Sequence, residues 1–205
     1  MDKWNTLASK QLVDKTIKAL KANGIDARFI QTGEKAKKVA LSLIPDGAEV
    51  MNMTSITLDS LGIPQEINES GRFNSIRSKL NNMDRVTQGL EMQKLGAAPE
   101  WVIGSVHAVT EEGSVLVASN TGSQLSAYSY GSAHIIWVVG TQKIVKNTDD
   151  GIKRIYEYVL PLESERANKA YHITYGSFVS KLLIFNREIK PGRITIIFVG
   201  EKLGF

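Results

Sequence analysis

Positions 119–124, Ser119-Asn120-Thr121-Gly122-Ser123-Gln124, set five polar side chains around one glycine directly after the apolar run Val115 to Ala118. A strand that feeds a helix through such a turn leaves backbone N–H groups unpaired at the helix start. Those groups suit a phosphate, a carboxylate or another oxyanion. Gly122 would let the backbone approach a ligand closely. Thr121 and Ser123 would add hydroxyl donors, with Ser119 beside them, and Asn120 and Gln124 would orient the ligand's polar end. The turn has neither the lysine of GxxxxGKS/T nor the spaced glycines of GxGxxG, so it specifies no nucleotide and names no cofactor.

Further candidates are scattered along the chain. Thr54 and Ser55 follow the apolar run Ala48 to Met53; they either cap the next helix or line the same cleft as the turn, provided both strands are parallel. Lys143 closes Gly140-Thr141-Gln142-Lys143 and is either an exposed surface lysine or a cation beside a bound anion. Glu163 and Arg166 stand three apart in Leu160-Pro161-Leu162-Glu163-Ser164-Glu165-Arg166, a spacing that gives an ordinary helix-surface pair. In a site, Arg166 would clamp a carboxylate or phosphate with its planar fork, and Glu163 would act as base or nucleophile. His107, in the expected strand Trp101 to Val109, shares a face with Ile103, Ser105 and Val109 by the period-two rule. It is either a hydrogen-bonded structural residue or a catalytic group.

These residues need a scaffold, and the hydrophobic periodicity supplies one. A helix over Asn5 to Ala22 ends at Asn23-Gly24, a C-cap signal. A short strand (Ala27 to Gln31), a helix (Glu34 to Leu43) stopped by Pro45-Asp46-Gly47, and a second strand (Ala48 to Met53) follow. Ile67 to Gly96 is polar and helical, suited to a side segment or lid over the sheet. Ile135 to Val139 is a fully apolar strand, Asp149 to Tyr158 a helix, and Pro161 starts another. Leu182 to Glu188 and Ile194 to Val199 flank Lys190-Pro191-Gly192, which predicts a C-terminal β-hairpin. Short apolar strands alternating with helices of about ten residues point to βα units, a largely parallel sheet and a single α/β domain spanning residues 1–205.

Composition removes several function classes. The chain has 205 residues and no cysteine. Disulfides, thiolate catalysis and an iron–sulfur cluster held by this chain are therefore excluded, and three scattered histidines predict no metal site. The formal charge of +4 comes largely from lysines of the first helical faces, without an Arg-rich or aromatic-interleaved patch, so no nucleic-acid partner is expected. No run approaches the roughly 18 apolar residues of a spanning helix, and the N-terminus lacks a secretory h-region. These features predict a cytoplasmic protein without a membrane partner.

Several segments together resemble the LUD-domain family, the lactate-utilisation group. They are MNMTSITLDSLGI, INESGRFNSIRSKL, WVIGSVHAVTEEG with SNTGSQL, IIWVVGTQKIV, LPLESERANKAY and the closing RITIIFVGEKLGF. The resemblance covers almost the whole chain. It implies a three-layer αβα sandwich like that of ribose phosphate isomerase and CoA transferases, in which phosphates or CoA esters bind at Gly/Ser/Thr loops after the strands. For function it implies a stand-alone LUD domain tied to lactate or organic-acid utilisation, binding a small anionic metabolite or phosphorylated cofactor at the 119–123 turn. An isomerase or acyl/CoA-transfer enzyme, and a non-catalytic subunit docking iron–sulfur partner proteins, stand as alternatives. A homodimer is the default assembly.

Overall fold

The computed structural model describes residues 2–205. Helix α1 (Lys10–Ala22) starts where the Ser9 hydroxyl accepts the Leu12 N–H, and it ends at Asn23 with Gly24 in the left-handed region at φ 79°. Strand β1 (Asp26–Ile30) follows, then α2 (Gly33–Ser42), capped by Thr32, and β2 (Glu49–Asn52). Helices α3 (Ile56–Ser60) and α4 (Ile63–Glu69) meet at Gly62. The side segment contains β3 (Asn74–Ser75), α5 (Ile76–Asn81) and α6 (Arg85–Ala97). Helix α6 buries none of its residues and leaves Val86 and Leu90 exposed.

The centre of the fold is a six-stranded parallel sheet in the order β1-β10-β7-β4-β2-β3, where β4 is Trp101–Gly104, β7 is His134–Gly140 and β10 is Ile194–Val199. Both faces are covered, so its strands read as unbroken apolar runs. Ile136 and Val138 pack with Ala36, Leu58 and Ile63 of the helices on one side. Ile135, Trp137 and Val139 pack with Val13 and Leu20 of α1 on the other, together with Val109, Val115 and Val117. Those last three belong to a second, mixed sheet, β8-β5-β6-β9, built from β5 (Ala108–Thr110), β6 (Val115–Ser119), β8 (Ile144–Val145) and β9 (Lys181–Phe185). Its outer face packs on one long helix formed by α8 (Thr148–Arg154), a π-helical turn (Ile155–Val159) and α9 (Leu160–Tyr171). The π turn falls where Pro161 has no N–H to give. The architecture is the expected α/β three-layer sandwich with a parallel centre.

Three expectations are corrected. Lys190-Pro191-Gly192 does not close a hairpin: β9 pairs antiparallel with β6 in the second sheet, whereas β10 lies parallel between β1 and β7. Turn chemistry fixes a local reversal, but the apolar faces of the flanking strands choose the partners. The stretch 101–109 is not one strand; it breaks at Ser105 to His107 and crosses between sheets, so His107 does not share a strand face with Ile103. Strand β6 lies in the second sheet, antiparallel to both neighbours, so the 119–124 turn does not follow a strand of the parallel sheet as Thr54 and Ser55 do.

Candidate functional site

A polar cluster gathers around Lys143 at the carboxyl edge of β2, β4 and β7. Lys143 follows β7 in a short 3-10 turn and is 2% exposed, not a surface lysine. Its Nζ lies 3.1 Å from Thr57 Oγ1 on α3, 3.2 Å from Ser105 Oγ and 3.2 Å from the Val106 carbonyl. Burial pulls its pKa well below the ordinary lysine value, and the nearby Arg154 guanidinium pulls the same way. The chain's last residues close over this cluster. Leu203 O accepts from Thr57 Oγ1 at 3.1 Å and from Gln142 Nε2 at 3.0 Å.

Arg154 is fully buried and donates to the His107 carbonyl at 2.6 Å and the Trp4 carbonyl at 3.3 Å. No carboxylate pairs with it among the described residues, and burial lowers its pKa to about 10. The His107 ring accepts the Ala118 N–H through Nδ1 at 3.0 Å. Burial, then the charges of Lys143 and Arg154, hold its pKa down to about 3, so the imidazole is neutral. His107 thus joins the end of β6 to the lysine cluster.

Helix α9 brings the remaining candidates. Glu163 and Arg166 form a two-pronged pair, with contacts of 2.7 Å from both Nε and Nη2. Both carboxylate oxygens of Glu163 are occupied by this fork, so the residue orients Arg166. That guanidinium stacks 5.6 Å from the Tyr171 ring and is close enough to α3 to counter the upward push of burial on the Asp59 pKa. Tyr171 also interacts with Arg77 on α5, whose Nη2 donates to the Asn52 carbonyl at the end of β2, 2.9 Å away. Thr54 is exposed, and Ser55 precedes α3 without capping it. The structure therefore gathers Lys143 and Arg166 with Ser55 and Thr54 around α3 and the carboxyl edge.

The 119–124 turn is largely self-satisfied. Ser119 Oγ accepts the Gly122 N–H at 2.9 Å and donates to Gln124 Oε1, while Thr121 Oγ1 takes the Ser123 N–H and bonds Ser123 Oγ. Asn120 Oδ1 accepts from Ser180, and Gln124 Nε2 donates to the Ala118 carbonyl. The helix that follows, α7 (Ser123–Ser126), is one turn long before it becomes a π-helical turn, Ala127–Gly131.

Sequence reasoning missed Arg77, Thr57, Ser105 and Arg154. One signal was available for the last. Gly151, Arg154, Ile155 and Tyr158 follow the spacing of a buried helical stripe, with an arginine where an apolar residue belongs. Among the described residues no group of His, Asp and Glu is placed to hold a metal ion, and no helix is long and apolar enough to cross a membrane.

Fold and site together define an α/β sandwich with a cation-rich cluster at the carboxyl edge of its parallel strands. The LUD domain family model matches residues 13–199, and the chain belongs to that family. A DUF162 family protein from Deinococcus radiodurans has a similar structure, with a TM-score of 0.56 at 12% sequence identity over 95% of this chain and 99% of that one. The eIF2B beta of Chaetomium thermophilum shows a partial likeness, with a TM-score of 0.36 and 15% identity over 58% of this chain and 45% of that one. Comparison with the curated proteins gives no match.

Proposed function

We propose that this LUD-domain protein binds a small anionic metabolite, or a phosphorylated cofactor, at the carboxyl edge of β2, β4 and β7 in the service of organic-acid utilisation. The observation that carries the reading is the pairing of the cations. Arg154 and Arg77 are buried and part-buried, and neither has a carboxylate partner among the described residues. Arg193, by contrast, is buried against Glu188 at 2.7 Å. Guanidinium groups held out of water without an anion are costly, and an arriving carboxylate or phosphate offsets that cost. Open α/β sheets also bind ligands at this edge. The association with lactate rests on the family alone.

Calorimetric titration with lactate, pyruvate, inorganic phosphate, a sugar phosphate and a CoA ester tests it. Saturable binding of at least one is expected. Arg77→Met should weaken it about tenfold, as loss of one charge-assisted hydrogen bond would. Absence of saturable binding to all five would remove the reading.

The 119–124 turn supports a second reading through one contact. Lys181 packs on Gly122, its Cδ 2.7 Å from where a Cβ would stand, and carries an exposed ammonium to the turn. If Lys181→Ala weakens binding and Arg77→Met does not, the turn is the anion site.

A further inference from the structure

Arg85 opens α6, is exposed, and has a guanidinium that enters no hydrogen bond or ion pair among the described residues. The first turn it belongs to is a closed unit. Asp84 accepts the Val86 N–H at 2.8 Å and the Thr87 hydroxyl at 3.1 Å, and its own N–H donates to Gln88 Oε1 at 3.0 Å. The Asp84 carboxylate is thus turned to its own helix. The turn ends at Gln88, where φ of −119° and ψ of 15° interrupt the helix. Past that kink α6 is anchored, because Leu95 packs against the core and Ala97 abuts Gly131 of the π-helical turn. Towards its start Val86 is 92% exposed and Leu90 65%, and no hydrogen bond ties that part to another element among the described residues. A helix anchored at one end and interrupted near the other can swing its free turn. That turn stands by Arg77, on the α5 helix that packs against α6. Burial lowers the Arg77 pKa, Tyr171 raises it, and the Arg85 charge lowers it again, so the two guanidiniums repel each other. Arg166 is already forked by both oxygens of Glu163. After this internal pairing, Arg77 and Arg85 keep their charges uncompensated.

From this arrangement, and resting on the anion-binding reading above, we propose that Arg85 is a second binding guanidinium of the site and that the ligand is a phosphate monoester held between Arg77 and Arg85. The charges select that class. A monocarboxylate neutralises one of the two cations and leaves the other beside it. A phosphate monoester carries about 1.5–2 negative charges near pH 7, and its terminal oxygens accept from two guanidinium forks that approach from different helices. A dicarboxylate has the charge but divides it between two separated groups. The bound dianion replaces the repulsion between Arg77 and Arg85 with the attraction of both to one centre. That attraction draws the first turn of α6 over the ligand, with Gln88 as the hinge.

Calorimetric titration of the full-length protein with glycerol 3-phosphate, lactate and succinate at fixed ionic strength tests the class. Glycerol 3-phosphate should bind about tenfold more tightly than either carboxylate. Arg85→Met should weaken glycerol 3-phosphate about tenfold and lactate less than about twofold, since only the dianion makes the second charge-assisted contact. Arg28, exposed on β1, is the control: Arg28→Met removes the same charge elsewhere and should change neither affinity. Arg85 is exposed and unbonded, so its variant should keep the wild-type circular dichroism. Hydrogen exchange on the wild-type protein is the second measurement. Saturating glycerol 3-phosphate should slow the amides of residues 85–92 at least about threefold, and lactate should not. Equal effects of Arg85→Met and Arg28→Met overturn the role of Arg85, and unchanged exchange overturns the closure. Succinate binding as tightly as glycerol 3-phosphate overturns the phosphoryl class. If lactate binds, Arg77→Met weakens it and Arg85→Met spares glycerol 3-phosphate, the clamp falls and the anion site stands. If none of the three binds, the clamp falls, and the wider titration above decides the anion site.

Discussion

Lys143 Nζ lies 3.1 Å from Thr57 Oγ1, and that hydroxyl passes its proton on to the Leu203 carbonyl. One side chain from α3 thus ties the residue after β7 to the last segment of the chain. Replacing it with an isosteric apolar group tests the tie. Thr57→Val removes one acceptor from the amine and one donor from the carbonyl, both buried. Leu203 O keeps Gln142, and Lys143 keeps Val106 and Ser105, so the loss should be about 1–2 kcal/mol. Urea midpoints of the two proteins measure it.

The lowered pKa of Lys143 has a definite sign in stability. Between its folded value and the ordinary lysine value the unfolded chain holds one more proton than the folded one. Stability contributed by this group therefore grows as pH rises from the folded value toward the ordinary lysine value, the range in which unfolded lysine stays protonated. The stability difference between wild type and Lys143→Met should increase over that range. A flat difference would mean that the folded lysine is charged.

His107 behaves alike at lower pH. With a folded pKa near 3 against 6.5 for a free imidazole, it contributes stability that is present above 6.5 and is lost as pH falls toward 3. His107→Asn keeps an acceptor for the Ala118 N–H and removes the titration. Between pH 6.5 and 4 the wild type should lose of the order of 2–3 kcal/mol more than the variant. Parallel acid-denaturation curves give the comparison.

Arg193 follows the Pro-Gly turn and is held from all sides. It donates to the carbonyls of Ser132, Ala127 and Tyr128 and pairs with Glu188. Arg193→Met should cost about 3 kcal/mol, because it leaves a largely buried carboxylate alone and frees three carbonyls. Adding Glu188→Gln should recover part of that loss, a double-mutant result that a purely steric defect would not give.

Gly122 has φ of 88°, and a Cβ there would press on the flexible Lys181 side chain. Gly122→Ala should therefore cost about 1 kcal/mol through backbone strain. Lys181→Ala should not rescue it, since the lysine can move aside. Thermal melts of the two single variants and the double variant separate strain from contact.

The sequence by itself determined the layers. Runs such as Ile135 to Val139 are apolar on both faces, which only a parallel sheet covered by helices on either side can satisfy. The break at Asn23-Gly24 and the hydroxyl of Thr32 mark helix ends closely, because those signals are local, whereas the helix expected from Asn5 starts only at Lys10, after the Ser9 cap. Ser55 and Lys143 were recognisable as polar residues after strands, and Arg166 as half of a helical pair with Glu163. Only the tertiary structure decided which of them meet. Pairing partners depend on which apolar faces match across distant segments, so Pro191-Gly192 marked a reversal without revealing that its two strands enter different sheets. The same holds for burial. Lys143 reads as a solvated cation in the string GTQK, and it is the convergence of Thr57, Val106 and Leu203, far apart along the chain, that removes it from water and pulls its pKa down.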